Sequence, residues 1–261
     1  MTIETLRDAV EKSRVERGAA STALALSGPA QWSSLQALQP TPTARRRSVF
    51  DAPPPVREAF DMLRTRLLKI TNDNAWTKIG VTAPRKGAGA TYTALNLAMA
   101  LSRAPDVRVM LVDLDLDDPG LAEALQVRGL RPLKDFLSGE VPAEDHFLRI
   151  GDSLIIGANT ARPGRGKGGG TDGGADILHG RRARLALDET IARYRPTVVI
   201  YDLPPVRRGD AALGALSLVD GALLVAEAGA TRTREIAECE QLILEHAHLI
   251  GVLLNKAEAI A

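Results

Sequence analysis

Residues 78–101 read KIGVTAPRKGAGATYTALNLAMAL, and the pattern changes twice along them. Lys78–Thr82 is a short, mostly apolar run of the kind that forms a buried strand. Ala83–Ala90 carries Pro84, Gly87 and Gly89 and reads as a loop. From Thr91 the apolar residues Leu95, Leu97, Ala98 and Leu101 fit a helix. Strand, glycine loop and helix in that order form a phosphate-binding turn. Glycines let backbone amides approach phosphate oxygens, and the helix N-terminus adds the positive end of its dipole.

The lysine such a loop needs is missing. The motif G-x-x-x-x-G-K-[ST] is met here by Gly89-Ala90-Thr91, and Pro84 stands where the first glycine belongs. That lysine normally bridges the β- and γ-phosphates and neutralises the charge that develops during transfer. Arg85 and Lys86 lie near enough to suggest a substitute, although at the other end of the loop. The expected nucleotide contacts are Arg85, Lys86, Gly87, Ala88, Gly89, Ala90 and Thr91, with the Thr91 hydroxyl on magnesium. A second glycine-rich stretch, GRGKGGGT at 164–171, is a decoy: Gly168 follows Lys167, and no helix starts directly after it.

Further apolar runs follow at Val107–Val112, Ser153–Ile156, Thr197–Tyr201, Ala222–Val225 and Leu249–Leu254, separated by helical stretches. Runs apolar throughout mark strands buried on both faces of a parallel sheet. The expected fold is therefore a doubly wound, mostly parallel α/β sheet flanked by helices, of the P-loop NTPase type. Asp113 and Asp115 end the first of these runs and Asp202 ends the third. Ligands of such sheets bind at the carboxyl ends of strands, so Thr91, Asp113 and Asp202 form a candidate magnesium site. Asp113, Asp115 and Asp202 are the candidate catalytic acids, with capping of a following helix the plainer alternative.

Outward from this core, residues 1–18 suggest an amphipathic helix, with Ile3, Leu6 and Val10 on one face. Residues 19–56 lose periodicity, carry Arg45-Arg46-Arg47 and Pro53-Pro54-Pro55, and read as a flexible linker. Residues 57–261 form the α/β domain, in which 57–70 is a helix with Phe60, Leu63, Leu67 and Ile70 inward. The glycine-rich stretch 161–174 is expected to be a disordered insertion. The chain has 261 residues and a formal net charge of +1, which gives no field for nucleic acid. Its start is polar and no run reaches a membrane span, so a cytoplasmic protein is expected, reaching the inner membrane only through a partner. The single cysteine, Cys239, excludes disulfides and an iron–sulfur cluster and reads as an inert thiol.

These motifs resemble those of the cytoplasmic module of the bacterial tyrosine kinase (BY-kinase) family, of the CpsD, CapB and Wzc type within the MinD/ParA branch. EAFDMLRTRL at 58–67, the phosphate loop with Asn96-Leu97-Ala98, VMLVDLDLDDPGL at 109–121, GLRPLKDFLSGE at 129–140, VVIYDLPPV at 198–206 and IGVLLNKAE at 250–258 all carry the likeness. The resemblance implies ATP or ADP with magnesium as cofactor and an adenine contact at Asn255. It also implies a membrane Wzz-type co-polymerase as partner, a homo-oligomer, and a role in exopolysaccharide, capsule or holdfast production. Several departures stand out. Ala90 replaces the lysine. Asp61 replaces the middle arginine of the ring-packing helix motif, leaving Glu58 and Arg64. The chain's tyrosines are Tyr92, Tyr194 and Tyr201, with no C-terminal cluster to phosphorylate. A pseudo-enzyme with a weak or lost nucleotide site is the favoured expectation. An active ATPase or tyrosine kinase using Lys86 or Arg85, and a ParA/MinD-like positioning switch, are the alternatives.

Overall fold

A computed structural model of the chain describes residues 32–39, 41, 52–159 and 174–257. The helix expected at 2–17 and the Arg45-Arg46-Arg47 run lie outside the described residues. So does the insertion, except Gly174, which opens a helix and is buried.

The centre is a sheet in the order β1-β4-β5-β3-β6-β2-β7-β8. Its strands are β1 (Gln36–Ala37), β2 (Lys78–Thr82), β3 (Val109–Asp113), β4 (Leu148–Ile150), β5 (Leu154–Gly157), β6 (Val198–Asp202), β7 (Gly221–Glu227) and β8 (His248–Asn255). Every neighbouring pair is parallel except β4 with β5. The fully apolar runs explain why: β3 and β6 are buried at every residue because helices cover both faces. The sheet therefore divides two cores. Met110, Val112, Val199 and Tyr201 face one, and Val109, Leu111, Val198 and Ile200 face the other.

Helix α1 (Pro54–Asn74) starts inside the expected linker, because prolines suit a first helical turn that needs no N–H donors. Phe60 and Leu67 of α1 are buried and Leu63 and Ile70 half-buried. Helix α2 (Ala90–Leu101) is buried from Thr93 to Leu101, as befits a helix apolar on all sides. The short helices α3 (Leu121–Leu125), α4 (Leu133–Leu137), α5 (Ala143–His146) and α6 (Gly174–His179) follow, then α7 (Arg181–Tyr194), α8 (Asp210–Leu216) and α9 (Thr233–Leu244).

The structure corrects the linker expectation elsewhere too. Trp32 and Leu35 are buried in the core, Trp32 Nε1 donates to the Tyr194 carbonyl at 2.8 Å, and Gln36–Ala37 pairs with β4. Burying the large apolar area of an indole holds this piece on the sheet edge despite its lack of periodicity. Cys239 is buried, and burial pushes its thiol up to about 11, which fits an unreactive side chain.

One buried group makes the fold acid-sensitive. His146 is fully buried, stacks on Phe136 at 5.7 Å between ring centroids, and has no hydrogen-bond partner on either ring nitrogen among the described residues. Burial lowers it to about 4, with Asp135 pulling weakly the other way. The unfolded chain takes up a proton near pH 6.5 while the folded chain does not, so stability is lost as pH falls below 6.5. About 2 kcal/mol should disappear between pH 7 and pH 5 in urea unfolding. His146→Phe should remove most of that loss, and an unchanged pH slope would refute the assignment.

Candidate functional site

The site lies at the carboxyl ends of β2, β3 and β6. Gly87 and Gly89 have φ of 91° and 103°, a conformation costly for other residues, and they bend the loop after β2 back onto the start of α2. Gly89 has a second constraint: a Cβ there would lie 2.0 Å from Asn255 Nδ2. Gly87, Gly89, Ala90 and Thr91 line a cleft of about 230 Å³, together with Asp115, Asp118 and Gly120 from the loop after β3. Gly120 comes so close that a Cβ there would meet the Thr91 hydroxyl at 2.9 Å.

Asp113 and Asp202 sit opposite each other in the β3–β6 register and are both buried. Asp113 Oδ2 accepts from the N–H groups of Gly120 and Leu121 at 3.1 Å each, so it caps α3. Burial, and then the nearby Asp202, push its carboxyl well above the usual range. Asp202 is also raised by burial, although the Thr91 hydroxyl is close enough to hold it down in part. Neither Asp202 oxygen has a hydrogen-bond partner of good geometry among the described residues. A buried carboxylate left this way is costly unless something cationic completes it. The fit to magnesium is therefore good: Thr91, Asp113 and Asp202 converge as hard oxygen donors, directly or through water.

The other expected residues have moved to other tasks. Asp115 pairs with Arg208 at 2.8 Å and accepts from the Asp118 N–H, and burial pushes it up to about 6 against the pull of that arginine. Arg85 donates through Nε to Glu235 at 2.7 Å, and Arg207 binds the same Glu235 oxygen. Glu235 is buried on α9 and held below the usual range, first by the Arg232 N–H and then by Arg85. Lys86 pairs with Asp118 across the cleft mouth. Asn255 donates to the Ala88 carbonyl at 2.9 Å. Arg64, the arginine kept in the α1 motif, turns inward to Asp61 at 3.1 Å and to the Ala100 carbonyl at 3.2 Å. Glu235, Arg207, Arg208 and Lys256 were not legible as site residues. Glu235 lies outside the quoted motifs, Arg207 and Arg208 directly follow VVIYDLPPV, and Lys256 stands inside IGVLLNKAE next to Asn255.

This fold, a mostly parallel sheet flanked by helices, is the one seen in P-loop NTPases of the MinD/ParA type. The structure is similar to the Pyrococcus furiosus cell division ATPase MinD, with a TM-score of 0.53 at 22% identity over 68% of this chain and 71% of that one. It is also similar to the kinase domain of Escherichia coli tyrosine kinase ETK, with a TM-score of 0.66 at 20% identity over 78% of each chain. In sequence the chain is 24% identical over 203 residues to the tyrosine-protein kinase YwqD of Bacillus subtilis (strain 168), covering 76% of this chain and 80% of that protein. No protein-family model matches the chain. The likeness to bacterial tyrosine kinases, first carried by motifs, is thus found again in a relative and in the fold. Among the described residues no helix is long and apolar enough to cross a membrane.

Proposed function

We propose that the chain is a BY-kinase-like regulatory subunit that holds a magnesium nucleotide weakly and does not transfer phosphate at a useful rate. It would act through protein contacts in exopolysaccharide, capsule or holdfast production, beside a membrane Wzz-type co-polymerase. One juxtaposition carries this reading. Ala90 fills the lysine's place at the start of α2, while Thr91, Asp113 and the unpartnered Asp202 remain together behind it. Magnesium, when bound there, would neutralise phosphate oxygens; Thr91, Asp113 and Asp202 would hold it, and the loop amides would orient the phosphates. The alternative in which Arg85 replaces the lysine is disfavoured by its bond to buried Glu235.

Calorimetry with Mg-ADP and the full chain tests this. Saturable, magnesium-dependent heat that Asp113→Asn abolishes is expected, with no phosphate release above background from Mg-ATP. Turnover of about 1 s⁻¹ or more, ordinary for kinases, would overturn the regulatory reading.

A further inference from the structure

Directly after β8, Lys256 adopts φ of 56°. Its Nζ donates to the Gly87 carbonyl at 2.9 Å and pairs with Glu227 Oε1 at 2.8 Å. The residue before it, Asn255, donates from Nδ2 to the Ala88 carbonyl, also at 2.9 Å. Two consecutive residues at the end of the last strand therefore hold two consecutive carbonyls of the loop.

Peptide geometry turns this strap into a statement about the site. In a planar trans peptide the C=O of one residue and the N–H of the next point in opposite directions. Drawing the Gly87 carbonyl toward Lys256 sends the Ala88 N–H the other way, and drawing the Ala88 carbonyl toward Asn255 does the same to the Gly89 N–H. Gly87, Gly89, Ala90 and Thr91 line the cleft and neither Asn255 nor Lys256 does, so the two carbonyls are held by residues that lie outside it. Among the described residues the Gly89 N–H has no backbone hydrogen bond, and the Ala88 N–H, set toward the Arg85 carbonyl by the turn at Lys86–Gly87, makes none of good geometry. An ammonium on the Gly87 carbonyl also polarises the peptide and makes the Ala88 N–H a stronger donor. The other cations near the loop are engaged with carboxylates, Arg85 with Glu235 and Lys86 with Asp118.

We infer that Lys256, together with Asn255, is a positioning residue for the phosphate chain. It aims the loop amides from behind and so supplies part of what a lysine at position 90 would give from inside the cleft. The inference rests on the nucleotide-binding part of the proposed function and names a device that serves it.

The test uses the full chain, magnesium, and two probes: ADP and pyrophosphate, which lacks a base. Lys256→Met should weaken both by the same factor, about 5- to 10-fold for a lost charged hydrogen bond, and Lys256→Arg should restore most of it. The amide NMR signals of Ala88 and Gly89 should move in unliganded Lys256→Met and return toward the wild type in Lys256→Arg. Unchanged affinity with unmoved amide signals overturns the inference. So does weakened ADP binding with unchanged pyrophosphate binding, which would make Lys256 a base contact. If the wild type binds neither probe, the nucleotide reading fails by itself; the amide signals then still decide whether Lys256 sets the loop.

Discussion

Ala90→Lys should turn this domain into a detectable phosphoryl-transfer or hydrolysis catalyst, raising the rate with Mg-ATP by about 10²–10³-fold, as expected for restoring one charged donor at the transferring group. Ala90 is the first residue of α2 and lines the cleft beside Gly89 and Thr91, so a lysine there would extend over bound phosphates. It would meet Asp115 and Asp118 on the cleft wall, competing there with their present partners Arg208 and Lys86. These carboxylates would pair with the new ammonium until phosphates displaced them. Affinity for Mg-ADP should therefore rise less than the rate does. Arg85 cannot do the same work from its present position, because Nε and a terminal nitrogen both bind Glu235. The measurement is phosphate release, with transfer to a tyrosine peptide beside it, for the wild type and Ala90→Lys. Tighter ADP binding without turnover would show that the lysine is not the sole deficit.

The two halves of the reading were legible to different degrees, for physical reasons. Strands such as Val109–Asp113 and Val198–Asp202 are buried on both faces, so their sequences are apolar at every step and stand out from helices and loops. Asp113 and Asp202 could be placed because they end those strands, and Thr91 because it follows the glycine loop at the start of α2. The strands Gln36–Ala37 and Leu148–Ile150 were missed: two or three residues cannot show a period, and the antiparallel β4–β5 pairing breaks the expected βαβ rhythm. Trp32 was assigned to a linker because its neighbours are polar and proline-rich, yet one indole with a buried hydrogen bond outweighs them. Glu235 was invisible for another reason. A single glutamate in the helical run Thr233–Leu244 looks solvated until the fold sets it beneath Arg85 and Arg207. Pairing of that kind depends on residues 28 and 150 positions apart, and spacing within a motif cannot reveal it.

Asp202→Asn should make the metal-free protein more stable while removing its response to magnesium. Asp202 is 1% exposed and its oxygens find no donor of good geometry, while Asp113 lies directly across the strand pair. Burial raises both carboxyls above their unfolded values, so the folded chain keeps protons that the unfolded chain releases. The sign follows: stability present below about pH 4 is lost as pH rises, the opposite sense to His146. Without metal, the folded state holds two facing carboxyls whose ionisation burial resists. A neutral isostere at position 202 removes one of them, which should be worth about 2 kcal/mol, or about 4–8 °C in Tm for a domain of this size. Wild-type Tm at pH 8 should rise with added magnesium, because the ion supplies the missing positive charge, whereas that of Asp202→Asn should not. Comparing variant with wild type at each pH cancels the His146 contribution, which both share. A variant that melts at or below the wild-type temperature in chelator at pH 8 would mean that Asp202 is already satisfied in the folded state. The unpartnered carboxylate would then lose its standing as evidence for a cation site, and the magnesium reading would rest on Thr91 and Asp113 alone.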